Sequence, residues 1–443
     1  MIIILLLLGG LYTSYAQTGY SLDQCKKLAL ENNNQVKNSN LELLASKQIK
    51  KSAFTSYFPK VSGSAIVYRF NEPLLNIDFP GGNLPVYDGN PVNLLTPTQF
   101  AYFPGVSMSM IDNGYIGTIT AIQPVFAGGR IITGNNLAKV GVDASTSRLV
   151  LSKYEVQLKT EENYWLIVSL NEKKKTLTMV EQLLDTIYNE ANDAYNAGLI
   201  NRNDVLKVTL KQSDARISRM KLENGIKLAS MAFCQHLGIP YDESMILTDT
   251  IGISQSPAEV YINGVQALQN REEYKLLEYS IKAEEFKSRM KIGEYLPQVG
   301  VGVGTLYYDI QDEGTFNSMI FASISVPISG WWDASHSMKA RKYQEEITRN
   351  NSKNNSELLL LQIQKSWNEL EESYQQIEVV RETVTQAEES LKINRDNYKA
   401  GIVNISDMLE AQAMVQQTKD NLADALSGYK VKLVKYLQVT GRY

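Results

Sequence analysis

The residues best placed to do chemistry are carboxylates at a turn that the chain writes twice. Tyr195-Asn-Ala-Gly198 followed by Asp204-Val-Leu206 recurs as Tyr398-Lys-Ala-Gly401 followed by Asp407-Met-Leu409, with every pair 203 residues apart. Asp407-x-x-Glu410 has the spacing of a capping box, which any helix start can use. Catalytic sets are missing. His236 and His336 are the only histidines, and no His/Glu metal spacing, Gly-rich phosphate loop or Ser/His/Asp arrangement occurs. The sequence therefore predicts no enzyme activity, no metal and no cofactor.

The offset of 203 also carries Pro124 onto Pro327, Tyr164 onto Trp367, Phe233 onto Tyr436 and Gly238 onto Gly441. A register held that long without a gap marks a duplicated structural unit. Residues 1–16, an apolar run ending in Ser14-Tyr15-Ala16, read as a secretory signal, so the mature chain would begin at Gln17. The first repeat spans 17–238, a linker 239–262 and the second repeat 263–443. Beyond the signal no stretch of about 18 apolar residues is available, so contact with a membrane would need a closed β-barrel or an anchor. With a formal charge of −4 and mixed signs throughout, the chain has no footprint for nucleic acid. Cys25 and Cys234 are too few for a disulfide framework and read as partly buried free thiols.

Each repeat opens with a helix, over 21–53 and about 264–293, that stops before Pro59 or Pro297. Alternating apolar residues then predict strands over about 61–70 and 115–123 in the first repeat and 299–308 and 318–326 in the second. Pro124 and Pro327 end the strand pairs. Residues 71–114 hold six of the chain's 12 prolines and read as a long irregular loop. Heptad-like seams follow, Leu177, Val180, Leu184, Ile187 and Ala191 in one long helix (130–197) and Ile363, Trp367, Leu370, Tyr374 and Ile377 in the other (333–400). Helices of this length reach ~100 Å. Gly198 and Gly401 would end them as left-handed caps, and Asp204 and Asp407 would start the returning helices as N-caps, giving hairpin tips at 198–204 and 401–407.

Four strands cannot close a transmembrane barrel, which needs about eight. A dimer would supply eight and a trimer twelve, the latter leaving a lumen that the alternating Gly300, Gly302 and Gly304 could face. The duplication, the strand pairs after Pro59 and Pro297, the Pro124-Val-Phe-Ala-Gly-Gly129 entry into the long helix and the doubled Tyr-x-x-Gly-x5-Asp tip together resemble the TolC-like outer-membrane efflux family. That resemblance implies an α+β membrane protein, a homotrimer whose twelve-stranded barrel in the Gram-negative outer-membrane lipid continues into a periplasmic α-helical barrel. It implies a passive export duct of a tripartite efflux or type I secretion system that docks on a periplasmic adaptor and an inner-membrane pump. Asp407 and Glu410 match the acidic ring of the periplasmic gate, Tyr398 the latch tyrosine and Asp204 its acidic partner on the first tip. Val403 stands where a latch arginine is found in the family, so closure is expected to rest on Leu199, Ile402 and Val403. Gly198, Leu199, Ile200, Gly401, Ile402 and Val403 match the adaptor-docking tips. Asp204 is followed by Lys207 but Asp407 by Glu410, which assigns the acidic gate to the second repeat. Trp331, Trp332 and tyrosines near strand ends are candidates for an interfacial belt. The alternative is a periplasmic coiled-coil scaffold or adaptor without a pore.

Overall fold

The structure is a computed structural model that describes residues 19–253, 255–310 and 313–443, so the expected signal over 1–16 lies outside the described residues. The first repeat runs β1 (Gly19–Tyr20), α1 (Leu22–Asn32), α2 (Asn34–Phe54), β2 (Lys60–Arg69), β3 (Leu75–Phe79), β4 (Gly82–Val86), β5 (Gln99–Phe103), β6 (Val106–Met110), β7 (Asn113–Ala127), α3 (Arg130–Asn196) and α4 (Arg202–Leu237). After β8 (Ile246–Leu247) and α5 (Pro257–Val260), the second repeat runs α6 (Gly264–Asn270), α7 (Glu272–Glu294), β9 (Gln298–Ile310), β10 (Glu313–Ser325), α8 (Gly330–Lys399) and α9 (Ile405–Val439). The chain packs as two units, a helical one (up to Lys47, Val140–Ala283 and Glu345–Tyr443) and one holding the sheet (Gln48–Lys139 and Glu284–Gln344). Each repeat contributes to both.

In the helical unit the seams read from the sequence are buried: Leu177, Val180, Leu184, Ile187 and Ala191 on α3, and Ile363, Leu370 and Ile377 on α8. The duplicated aromatic pairs make equivalent contacts, Tyr164 on Phe233 at 6.2 Å between ring centres and Trp367 on Tyr436 at 5.2 Å. Buried phenols strap the linker down, since Tyr164 Oη donates to Asp249 Oδ2 (2.8 Å) and Tyr429 Oη to the Gln255 carbonyl (2.5 Å). Cys25 and Cys234 are free and fully buried rather than partly so, inside the core around Tyr164 and Phe233. Burial pushes the Cys25 thiol up to about 12.

The opening helix of each repeat is broken where one helix was expected. Asn33 and Arg271 interrupt it with extended backbone, ψ 131° and 135°. The cause is a close approach. Gly238 and Gly441, both left-handed, lie so near Asn32 and Asn270 that a Cβ would come within 2.7 and 2.8 Å of them. The C-terminal caps of the returning helices thus occupy the space a straight helix would need.

The sheet unit has one four-stranded antiparallel sheet in the order β10-β9-β7-β2, leaving β10 and β2 as open edges. β2 has the expected length, and β7, β9 and β10 are longer than expected. β7 passes Pro124 and ends at Ala127, because a bulge between Pro124 and Phe126 absorbs the missing N–H. Strand alternation puts Val61, Val67, Ile119, Val301, Val303, Ile320 and Ile324 on one face, all exposed. The other face carries Ser62, Ser64, Thr118, Thr120 and the glycines of β9, with Ser62 hydrogen-bonded to Thr120 (2.9 Å) and Ser64 to Thr118 (2.7 Å). Gly302 is not open space, since the Phe321 ring lies over it, with a ring atom 2.6 Å from where a Cβ would stand. Trp331, half-exposed, donates Nε1–H to the Tyr295 carbonyl (2.9 Å), and Trp332 is exposed.

Residues 71–114 are not an irregular loop. They form stacked antiparallel pairs, β3 with β6 and β4 with β5, separated by two facing Phe-Pro-Gly triplets, Phe79-Pro80-Gly81 and Phe103-Pro104-Gly105. Pro85 sits inside β4 opposite Phe100 and the other five prolines fall outside the strands, while Gly81 and Gly105 allow the two strands to touch: a Cβ on Gly81 would fall 2.5 Å from the Gly105 nitrogen.

One carboxylate in the helical unit is poorly accommodated. Asp424 takes hydrogen bonds from Ser169 Oγ (2.9 Å) and Lys173 Nζ (2.7 Å), while neighbouring Asp420 has a buried Oδ1 with no partner. Burial first, then the Asp424 charge, raise Asp420 to about 6, against a lowering by Lys173. Its folded value lies above the unfolded one, so its penalty is absent below the unfolded value and grows as pH rises through the folded one. Asp420→Asn should therefore raise unfolding stability at pH 7.5, by on the order of 1 kcal/mol after solvent screening, and give little gain at pH 3. A gain equal at both pH values would show that charge is not the cause.

Candidate functional site

The two hairpin tips are built alike, residue for residue. Gly198 and Gly401 take φ 75° and 72°, and the following Leu199 and Ile402 donate N–H to the Ala194 and Asn397 carbonyls, each at 2.9 Å. Such paired closing bonds need a left-handed residue, which glycine supplies without a Cβ penalty. The chain then turns into the returning helix.

The expected caps are corrected by three residues. Asn201 and Asn404, not Asp204 and Asp407, are the N-caps: Asn201 Oδ1 accepts from Asp204 N (3.2 Å), and Asn404 Oδ1 from Ser406 N (2.8 Å) and Asp407 N (3.2 Å). Asp407 Oδ2 accepts in turn from Asn404 N (3.4 Å), so the capping box is Asn404 with Asp407 and does not involve Glu410. An asparagine side chain can capture the first free N–H groups one turn earlier, so the helices start at Arg202 and Ile405. Both asparagines were legible as Asn-x-x-Asp.

Around these caps the charges fall into two groups. Lys207 Nζ lies 3.3 Å from Asp204 Oδ1 and donates to Ser406 Oγ of the second tip (2.9 Å). Glu190 sits 3.9 Å from Arg395 and 4.0 Å from Lys399. Tyr398 packs against the tip core beside Ile405 and Met408. Burial raises its phenol, with smaller contributions from Asp204 and Glu190, so the tyrosine and both carboxylates share one neighbourhood. Tyr398 and Asp204 share no hydrogen bond among the described residues; Lys207 is what joins Asp204 to the second tip. Asp407 and Glu410 are exposed.

The apolar tip residues separate into pairs of unequal fate. Ile200 packs on the core and Val403 is half-buried, whereas Leu199 and Ile402 are 78% and 71% exposed. The expected closure through Leu199 and Ile402 is therefore not made within the chain. These two side chains are free to meet something else.

Residues 264–442 match the family described as outer membrane efflux protein. Against curated proteins the sequence has no significant match. By fold the chain is similar to the outer-membrane channel OprN (TM-score 0.76, 13% identity, covering 95% of this chain and 90% of that one). It is also similar to VceC of Vibrio cholerae (TM-score 0.73, 13% identity, 95% and 96% covered) and to the CmeC outer membrane channel of Campylobacter jejuni (TM-score 0.73, 15% identity, 95% and 85% covered). The duplicated helix, strand pair and long hairpin are thus the fold of such channels.

The cap assignment makes Asn404, and not Glu410, the partner of Asp407 in the box. Asn404→Ala should lower unfolding stability by about 1 kcal/mol, while Glu410→Ala should stay within ~0.5 kcal/mol of the parent. Denaturant midpoints measure both, and equal losses would remove the Asn404–Asp407 box as the cap.

Proposed function

We propose that this chain, similar in sequence to outer membrane efflux proteins over its second repeat and sharing the fold of their channels, is the outer-membrane duct of a tripartite efflux or type I secretion system. The observation that carries this reading is the sheet. It exposes an apolar face, backs it with a mixed face that holds serines, threonines and glycines beside Ile66, Ile116 and Leu306, and has unpaired edges at β10 and β2. Such a sheet needs lipid on one side, water on the other and strands at both edges. Three copies meet all of these needs with twelve strands around a lumen. No described helix is long and apolar enough to cross a membrane, so the strands carry the span.

In this reading the trimer is passive and its helical hairpins extend into the periplasm. Exposed Leu199 and Ile402 at the tips meet the periplasmic adaptor, which links the duct to an inner-membrane pump. Asp407 and Glu410, exposed on the second tip, form the acidic gate. The closed state is held by the Lys207 clasp on Ser406, with Asp204 fixing the ammonium and Tyr398 filling the space behind it. Trp331 and Trp332 lie at the membrane boundary.

The detergent-extracted protein should run as a trimer and conduct ions in planar bilayers. Ile320→Arg, on the apolar face, should abolish insertion, at a cost of about 2–4 kcal/mol per copy. Asp407→Ala with Glu410→Ala should lower cation selectivity, and Lys207→Ala should raise the resting conductance. A monomer that stays in solution without detergent and conducts nothing would sink the duct reading.

A further inference from the structure

The sheet unit contains a cavity of about 520 Å³ that none of the tip chemistry uses. It opens on the serine and glycine face of the sheet, at the end of the strands nearest the helices, and is walled by the ends of α2 and α7 and the first turns of α3. Its charge is one-sided. Lys60 and Arg130 line it, and no aspartate or glutamate does, in a chain whose formal net charge is −4. Among the described residues neither cation has a carboxylate partner.

Arg130 is held in place by backbone packing. Gly128, left-handed at φ +61°, lies against Gly293 of α7, where a Cβ on Gly128 would meet the Gly293 carbonyl oxygen at 2.2 Å. A Cβ on Gly293 would in turn stand 2.5 Å from Arg130 Cγ, so the arginine stem lies across a glycine that leaves it room. Its Nε donates to the Ala127 carbonyl (3.4 Å), and the residue lines the cavity. The first turn of the 67-residue α3 holds no acidic residue to neutralise this end. Ser323 and Ser325 add hydroxyls on the strand side, and Ile122, Phe126 and Met290 add apolar wall. The held arginine, the lysine, the hydroxyl donors and the apolar wall together fit one class of molecule.

We infer that this cavity binds an organic anion, a sulfonate, carboxylate or phosphate head on an apolar body, with Lys60 and Arg130 taking the head. A planar guanidinium and a lysine ammonium suit an oxyanion, and the walls add desolvated apolar contact. The inference rests on the duct reading in one respect: the polar sheet face is the water-filled side, so the anion arrives as cargo in transit. An anionic lipid headgroup offers the same chemistry.

The test uses the full-length trimer in nanodiscs, with 2-naphthalenesulfonate as probe and the neutral naphthalene-2-sulfonamide as its matched control. Titration calorimetry should show the sulfonate binding at least tenfold more tightly than the sulfonamide. Lys60→Gln with Arg130→Gln should remove that preference, while Lys60→Arg with Arg130→Lys should retain most of it. Replacing phosphatidylcholine by phosphatidylglycerol in the disc should leave the affinity unchanged if the anion is cargo, and weaken it if lipid headgroups occupy the site. Equal binding of the two probes, or a preference that survives the double glutamine variant, would overturn the inference. Bilayer conductance of the same preparation is read separately, so loss of the duct reading would show as absent current whatever the calorimetry gives.

Discussion

A four-stranded sheet with an exposed apolar face and two open edges is the constraint on which everything else in this chain depends. Apolar side chains such as Val67, Ile320 and Ile324 stand exposed on it where a soluble protein would cover them. Among the described residues the helices bury their own seams, and the other strands of more than two residues pair with each other in the hairpin of residues 71–114. On the proposed duct reading, other copies and lipid complete the sheet. In that reading the fold is a fraction of an assembly.

Duplication supplies that fraction economically, and its traces are physical as well as textual. The helix breaks at Asn33 and Arg271 face the capping glycines Gly238 and Gly441, and the aromatic pairs Tyr164–Phe233 and Trp367–Tyr436 recur behind them. The same packing problem has been solved twice. Two differences between the copies stand out: the hairpin of residues 71–114 belongs to the first repeat, and the tips diverge at Lys207 and Glu410.

Much of this was legible in the sequence because it depends on local rules. Long helices follow from uninterrupted seams, and the tips from Gly198 and Gly401, whose left-handed backbone few other residues adopt. What was not legible depends on distant contacts. Nothing near Asn33 shows that Gly238 will crowd it, and the alternation of Gly300, Gly302 and Gly304 does not show that Phe321 will lie over one of them. Prolines misled in the hairpin of residues 71–114, because they punctuate a pairing that still forms between Phe-Pro-Gly joints. At the tips the capping residues were displaced by three positions, since an asparagine and an aspartate can both cap and only the backbone geometry decides between them. Arg130 gave no signal at all. Its importance comes from Gly293, more than 160 residues away along the chain, leaving room for its stem.

The divergence of the tips has an electrostatic consequence. At equivalent positions after the capping asparagine, the first repeat carries Asp204 with Lys207 and the second carries Asp407 with Glu410. Lys207 lies against Asp204, so the first tip largely cancels its own field at short range. The same ammonium then spends a remaining hydrogen on Ser406, tying the neutral tip to the start of the acidic one. Asp407 has its carboxylate committed to the Asn404 backbone and Glu410 is exposed, so the second tip keeps two negative charges facing solvent. Any cation drawn to the tips is therefore drawn to the second repeat. In the proposed duct, release of Lys207 from Ser406 would bring a counter-charge into play at the same moment that it frees the acidic tip, so one side chain would couple selectivity to opening.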